Sequence, residues 1–580
     1  MRMKFSYLAE KFRELEGTTK RLEMTDTLAE IFGEASPEEI DKIIYLTQGQ
    51  VKPPFKGIDI GLGEKYVQEA IATATGYSKK KVKEEFDETG DLGEAASKLK
   101  EKELQQSLVD KELTVKDVYK GFMKIATASG EGSEDTKIKT MAELLNNATP
   151  LEAKYITRIP INKLRLGIGD PTVMDSLSVM KTGDKELRKE LQTAYNKCSD
   201  LGKVAKLFLE EGIEGVQKIE IEVFNPIRPA LAKRLKSEEE IIEKHGETAV
   251  EGKYDGFRLE CHKKGKEVKL FSRRLDDMTN MFPELVEAIK ELEPEEIIFE
   301  GEAMSYNEEE QKFRPFQETM RRRRKYEIDE MAEKYPLKLF VFDIMYLDGE
   351  DYTKKKYMER REKLEEIFQI EEDTIRISDM KLTKDPEELE EIFREKVAQG
   401  LEGIMAKDPE APYKAGSREW RWIKLKKSYE GELTDTIDLL IAGYYEGKGS
   451  RTQFGFGGLL GCIYNKEKDR FETIARIGTG FTEEQMKKLH EKLSEIEVKN
   501  KPARIRSKTE PDHWIEPKYV VTINADEITK SPKHTAGKEG KEKGYALRFP
   551  RLEGWIREDK KPEDATTLEE IEKMYKLQQE

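Results

Sequence analysis

The sequence predicts a multidomain chain: an all-α domain over residues 1–222, an α+β domain over 223–428, and a β-barrel domain ending in a helix over 429–580. Three observations predict it. The chain has 580 residues, several times the size of one compact domain. Apolar residues recur at helical spacing through the front of the chain, then yield near residue 222 to strands alternating with helices. Beyond a basic cluster around Lys424, short strands are separated by glycine-rich turns.

In the front domain, helical periodicity runs through Phe5–Leu15, Leu28–Phe32, Val67–Ala74, Val118–Ala126 and Met141–Leu145. Breaker-rich loops such as VKPPFKG and TGDLGE separate these runs. In INKLRLGIGD, Gly167 and Gly169 follow Lys163 and Arg165, so closely approached backbone beside basic side chains suits phosphate contact. The stretch NPIRPALA then reads as a linker or lead-in strand. Phe257–His262 and Val268–Phe271 read as the two arms of a hairpin, and Ile297–Phe299 and Leu339–Tyr346 as further strands. Helices over Met358–Ile367 and Pro386–Ala398 alternate with them, giving the mixed class. Ile437–Tyr445, Gly457–Tyr464, Phe471–Ile477 and Tyr519–Ile523 suggest a small barrel, and a charged helix closes the chain from Thr567.

Composition excludes several function classes. Charged residues make up 38% of the chain and hydrophobic residues 37%, polar but sufficient for several cores. No run of about 18 apolar residues occurs, so a membrane-spanning helix is not expected. The opening MRMKFSYLAEKFRELEG has no apolar h-region and reads as a helix, not a secretion signal. Cys198, Cys261 and Cys462 lie far apart without a CxxC pair, which excludes a zinc ribbon or disulfide framework and fits a reducing cytoplasm. The Glu- and Lys-rich balance resembles thermophile usage. A net charge of -15 argues against a nucleic-acid partner when averaged over the chain. Local charge distribution argues the opposite way. Ala153–Gly169 carries Lys154, Arg158, Lys163 and Arg165 with no acid, and Pro412–Ser428 carries six basic residues against Glu419 alone.

The chemistry centres on Glu251-Gly252-Lys253-Tyr254-Asp255-Gly256-Phe257-Arg258. Alone, the Lys-x-Asp-Gly pattern reads better as a solvated lysine beside a turn. An ordered series gives it weight: Arg273 in FSRRLDDMT, Glu302 in IIFEGEAM, Phe342 in LFVFDIMYLDG, Glu402 in GLEGIMAK, and Lys424 and Lys426 in WIKLK.

This series resembles the covalent nucleotidyltransferases, which comprise polynucleotide ligases and RNA capping enzymes. The segments PDHWIEPKYVVTINADEITKSP and GYALRFPRLEGWIREDKKPEDATT resemble the oligonucleotide-binding-fold (OB-fold) domain of ATP-dependent DNA ligases. GEGS, LLNNATPLEAKYITR and KLRLGIG resemble the helical DNA-binding domain of archaeal and eukaryotic replicative ligases. The likeness spans essentially the whole chain and is to archaeal-type ATP-dependent DNA ligases. It implies an all-α DNA-binding domain, an α+β adenylation (nucleotidyltransferase) domain and a β-barrel OB-fold domain.

The same resemblance implies site roles. Lys253 would attack the α-phosphate of ATP, form lysyl-AMP, pass AMP to the 5′-phosphate of a nick, and let the 3′-hydroxyl seal it. Glu302 would bind the ribose, Phe342 would stack on adenine, and Arg258, Arg273, Arg418, Lys424 and Lys426 would serve the nucleotide, with Glu251 a further pocket position. Glu302 and Glu402 would hold Mg²⁺ or another divalent cation, which suits oxygen ligands plus phosphate. Arg548, Arg551, Arg557 and Lys560 would orient pyrophosphate as the last domain closes. Lys154, Arg158, Lys163 and Arg165 are the expected DNA contacts. The chain is expected to act as a cytoplasmic monomer on nicked double-stranded DNA, in replication, repair and recombination.

Physical chemistry asks for such a setting. A lysine attacks phosphorus only as the neutral amine, and near an ordinary pKa of about 10.4 only roughly one in a few thousand is neutral at pH 7. Cationic neighbours and desolvation lower that pKa. Lys253 is therefore expected among Arg258, Arg273, Lys424 and Lys426, with a metal beside it.

Two positions depart from the family pattern: Glu300 where Asp is frequent, and Arg274 where Asn is common. GFGGLLG misses the dinucleotide fingerprint because position 460 is leucine. RRRRK at Arg321–Lys325 reads either as a DNA-facing run or as a solvated helix face. QQSLVDK from Gln105 has some likeness to a sliding-clamp peptide without its aromatic pair and reads better as a polar loop; a sliding clamp stays a candidate partner. An RNA ligase or guanylyltransferase shares the lysine series, and a DNA-binding scaffold with a dead pocket is the non-catalytic alternative. The NAD-dependent ligase class is disfavoured for want of its four-cysteine zinc site.

Overall fold

A computed structural model of the protein describes residues 2–102, 112–235, 237–307, 312–314, 319, 322, 328–368, 374–426, 436–447, 454–525, 527–538, 540 and 543–578. They form two compact units, Met1–Lys424 and Leu425–Glu580. Among the described residues no helix is long and apolar enough to cross a membrane.

The first unit opens with helices whose starts follow from their capping residues. Thr114 caps Val115–Thr127 reciprocally with Asp117, and Thr149 caps Pro150–Arg158 with Glu152, with Pro150 in the first turn. Asp91 and Asp200 cap Leu92–Glu101 and Leu201–Gln217. The helices share one core running from Met3 to Ile219, in which Phe12 meets Tyr155 edge-on at 5.4 Å. The last of them breaks at Gly212 (φ 67°, ψ -159°), a conformation only glycine adopts readily.

The expected DNA contacts of this half require correction. Arg158 is buried and its guanidinium binds Asp91 at 3.0 Å and Glu16 at 2.9 Å. Lys154 pairs with Glu16 and Glu94 at 3.0 and 2.7 Å, and Arg165 pairs with Asp91 at 3.0 Å. A lone buried guanidinium would be costly, so this network locks helices together and Arg158 cannot reach a phosphate. Lys163 lies at the rim, paired with Glu64 at 2.6 Å. Arg322 is likewise buried, on Glu284, which removes it from the expected basic face. The rest of Arg321–Lys325, and the segment QQSLVDK from Gln105, lie outside the described residues.

The mixed half builds two sheets from β1 (Leu231–Arg234), β2 (Thr248–Lys253), β3 (Phe257–Lys264), β4 (Glu267–Ser272), β5 (Glu296–Asn307), β6 (Lys312–Phe313), β7 (Leu337–Leu347), β8 (Glu350–Asp351), β9 (Ile375–Ile377), β10 (Met380–Thr383), β11 (Gly403–Lys407) and β12 (Arg418–Lys426). One sheet has the order β1-β12-β11-β2-β10; the other runs β4-β3-β5-β7-β8, with β6 on β5 and β9 on β7. On β7 the strand period sends Leu337, Leu339 and Val341 into the core with Leu259, Leu270 and Phe299. Phe340 and Phe342 therefore face the other way.

In the second unit, Ile437–Tyr445 is buried at every position because it pairs on both sides, with Gly458–Asn465 and with Val520–Asn524. Gly458–Asn465 continues to Arg470–Ile477, and Val520–Asn524 to Arg551–Ile556. The ends of these two paths meet only in a single bridge between Thr479 and Arg551. Among the described residues no closed barrel is found in the strand pairing. Thr567 caps the final helix, Leu568–Leu577, through Glu570, and its Ile571 enters the core.

Candidate active site

Lys253 ends β2, and its side chain is one-fifth exposed. The β2–β11 register sets Gly403 opposite it, and Glu402 N–H donates to the Lys253 carbonyl at 3.1 Å. That pairing brings the Glu402 carboxylate directly onto Lys253 Nζ as an ion pair. Glu302 lies inside β5, which continues to Asn307. Gly256 N–H donates to Glu302 Oε1 at 3.2 Å. A Cβ at Gly256 would lie 2.3 Å from the Ala303 carbonyl, so only glycine lets this backbone come so close. Burial pushes the Glu302 carboxyl up to about 7, against the attraction of Lys253 and Arg258 and the Gly256 hydrogen bond.

The cation-rich surroundings expected for Lys253 take a different form. Its contact partner is a carboxylate, and Arg258 is fully engaged. The Arg258 fork binds Glu300 at 2.9 and 2.7 Å, and its third branch donates to the Ala230 carbonyl at 2.8 Å. Glu300 also accepts from the Tyr413 hydroxyl at 2.9 Å, so this departure from the family pattern serves a wall of the pocket. Arg273 is exposed in the turn after β4.

Phe342 is half-buried against the Trp422 edge at 6.1 Å, with Arg258 5.5 Å from its ring centre. Arg418, Trp420, Trp422, Lys424 and Lys426 share one alternation of β12, and Arg421 points to the other side, paired with Glu419.

Glu251 needs correction. It is buried beneath the nucleophile, accepting from the Tyr357 hydroxyl at 2.5 Å and from Ser378 at 3.1 Å, and paired with Lys407 at 2.6 Å. It braces the pocket from below and does not line it. Lys407 is a residue that the sequence motifs did not single out. Its buried ammonium donates to the Phe342 carbonyl at 2.9 Å and lies 4.9, 4.8 and 4.6 Å from the rings of Phe342, Tyr357 and Trp422. Burial pushes its pKa down and Glu251 holds it up. The available signal was strand alternation, which sets Met405 and Lys407 on one face of β11.

Among the described residues no three His, Cys, Asp or Glu side chains cluster as a closed metal cage. Glu302 and Glu402, both beside Lys253, nevertheless fit a magnesium-type ion, which takes one or two carboxylates and completes its shell with phosphate and water. In the second unit the basic residues near the end are internally paired: Arg548 with Glu527, Arg551 with Asn524, Arg557 with Asp559, and Lys560 with Asp438.

Comparison with known proteins places these features in context. Residues 229–426 match the family model described as ATP dependent DNA ligase domain, residues 4–178 that of the DNA ligase N terminus, and residues 452–560 that of the ATP dependent DNA ligase C terminal region. A probable DNA ligase of Dictyoglomus thermophilum is 50% identical over 577 residues, 99% of this chain and 98% of its own. A DNA ligase of Nitrosopumilus maritimus is 43% identical over 581 residues, again 99% and 98% of the two chains. The solved structure named Pmar-Lig_PreS3 is similar in fold, with a TM-score of 0.53 at 18% identity, covering 95% of this chain and 99% of that one.

Proposed function

The chain belongs to the ATP-dependent DNA ligase family, and we propose that it seals nicks in duplex DNA with Lys253 as the nucleophile. The observation that carries this reading is the placement of two carboxylates at one lysine, Glu402 in contact with Nζ and Glu302 held near neutrality within its field. In the first step the neutral Lys253 amine attacks the α-phosphorus of ATP. The N–P bond forms, the P–O bond to pyrophosphate breaks, and the nitrogen gives up one proton to the departing pyrophosphate or to solvent. Glu302 and Glu402 would hold a divalent cation, which would supply positive charge at the phosphates. Glu402, turned away from Nζ, no longer stabilises the ammonium, which favours the reactive form.

Phe342 offers its open face to adenine, Glu302 reaches the ribose, and Arg273, Arg418, Lys424 and Lys426 meet phosphate oxygens. Arg258 and Glu251 act from behind by fixing strands. AMP then passes from Lys253 to the 5′-phosphate of the nick. The 3′-hydroxyl attacks that phosphorus, the new phosphodiester forms and AMP leaves. The C-terminal sheet serves as an OB-fold domain whose Arg548, Arg551, Arg557 and Lys560 orient pyrophosphate. Residues 1–222 act as the DNA-binding domain and 223–428 as the adenylation domain, in a cytoplasmic monomer.

A nicked-duplex assay with ATP and Mg²⁺ tests the reading. Sealing of the nick is expected; no sealing alongside RNA end-joining or cap transfer would overturn it.

A further inference from the structure

We propose that Arg274 binds a phosphate of the DNA backbone at the cavity between the helical and mixed halves of the first unit. The proposal rests on the ligase reading and adds a contact that reading does not assign. The cavity has a volume of about 300 Å³ and is lined by Gln48, Gln50, Asp170, Tyr195, Arg228 and Arg274. Nearly all its polar groups are committed to one another. Gln50 donates to Gln48 at 2.8 Å, and Gln48 to Asp170 at 2.9 Å. The Tyr195 hydroxyl donates to Asp170 at 2.7 Å, and Arg228 pairs with the same carboxylate. The one acid of the cavity is thereby neutralised.

Besides the buried Ser199 hydroxyl, Arg274 is the exception. It is exposed, and among the described residues its side chain has no ion pair or hydrogen bond. An unengaged guanidinium fork is matched to phosphate oxygens, and here it borders a cavity whose only acid is already covered.

The backbone aims it there. Arg274 N–H is held by Ser272 Oγ at 3.2 Å, and the next residue, Leu275, has φ +67°. A leucine keeps that conformation only when its surroundings impose it, and such strain gathers at functional sites. Leu275 is buried against Phe271 and Phe55. Phe55 comes from the helical half and meets Phe271 edge-on at 6.4 Å. The helical half thus pins the turn that carries Arg274. Arg274 thus adds a cation at the boundary between the halves.

The test uses the full chain and the variants Arg274→Asn and Arg274→Lys, binding a nicked duplex of fixed length between roughly 50 and 200 mM salt. One lost phosphate contact flattens the slope of log affinity against log salt by about 0.9, so the deficit of the Asn variant shrinks about 3.5-fold across that range. The Lys variant keeps the parental slope. An unchanged slope, or a deficit independent of salt, overturns the proposal. So does a shift in the ATP dependence of self-labelling without a slope change, which would make the cavity a nucleotide subsite. Labelling of the parental chain from α-labelled ATP is read in parallel. A chain that binds nicks but takes no label would sink the ligase reading and leave the slope result standing.

Discussion

Replacing Glu302 by glutamine removes a charge at almost constant shape. The carboxyl sits half-buried in β5 with its pKa raised from 4.5 to about 7, chiefly by desolvation. At about 1.4 kcal/mol per pH unit, ionising it in the folded chain costs about 3 kcal/mol relative to the unfolded chain. The sign follows from the raised value. Below about pH 4.5 both states hold a neutral acid and the cost vanishes. As pH rises from 4.5 to 7 the unfolded chain ionises first and the folded state loses stability; above 7 the full cost is present. Glutamine never ionises, and its amide oxygen can still accept from Gly256 N–H. Glu302→Gln should therefore be nearly neutral at pH 4.5 and more stable than the parent by up to about 3 kcal/mol at pH 8, while losing metal-dependent activity. Urea unfolding of the first unit, followed by fluorescence at both pH values, reads the difference. A gap that stays constant with pH, or that favours the parent at pH 8, would refute the claim that desolvation controls this carboxylate.

Other consequences follow from the same geometry. Metal affinity, measured by calorimetry, should rise with pH through about 7, because a cation on Glu302 must displace its proton; a flat profile from 6 to 8 would remove Glu302 from the metal shell. Lys407→Met leaves the buried Glu251 with only Arg361, 3.6 Å away, as its cation, which should cost up to about 3–5 kcal/mol and raise the KM for ATP more than it lowers kcat; an unchanged KM would separate Lys407 from the base site. Arg158→Met leaves Asp91 with Arg165 and Glu16 with Lys154 as their remaining cations, so the thermal midpoint of the helical half should fall by the equivalent of up to about 3–5 kcal/mol. The salt slope of DNA binding by that variant should be unchanged; a flatter slope would restore Arg158 as a phosphate contact.

Much of this molecule could be read from local pattern. Helix starts at Thr114 and Thr149 are written in capping boxes, and the β3–β4 hairpin in its Gly265 turn. Lys253, Glu302 and Phe342 each sit in a short motif on a strand, and Glu402 directly precedes β11, so their placement near one another follows the strand pairing. What failed depended on partners remote in sequence. Arg158 looked like a phosphate contact until Asp91 and Glu16, 67 and 142 residues away, closed on it. Glu251 looked like a lining residue because nothing nearby announces Tyr357 or Lys407.

Every step of the proposed chemistry turns on the identity of the nucleophile. Incubating the full chain with α-labelled ATP and Mg²⁺, then mapping the label after mild alkaline work-up, addresses it most directly. An acid-labile adenylate on Lys253 is expected, absent from Lys253→Ala. Label on any other residue, or equal label in that variant, would contradict it.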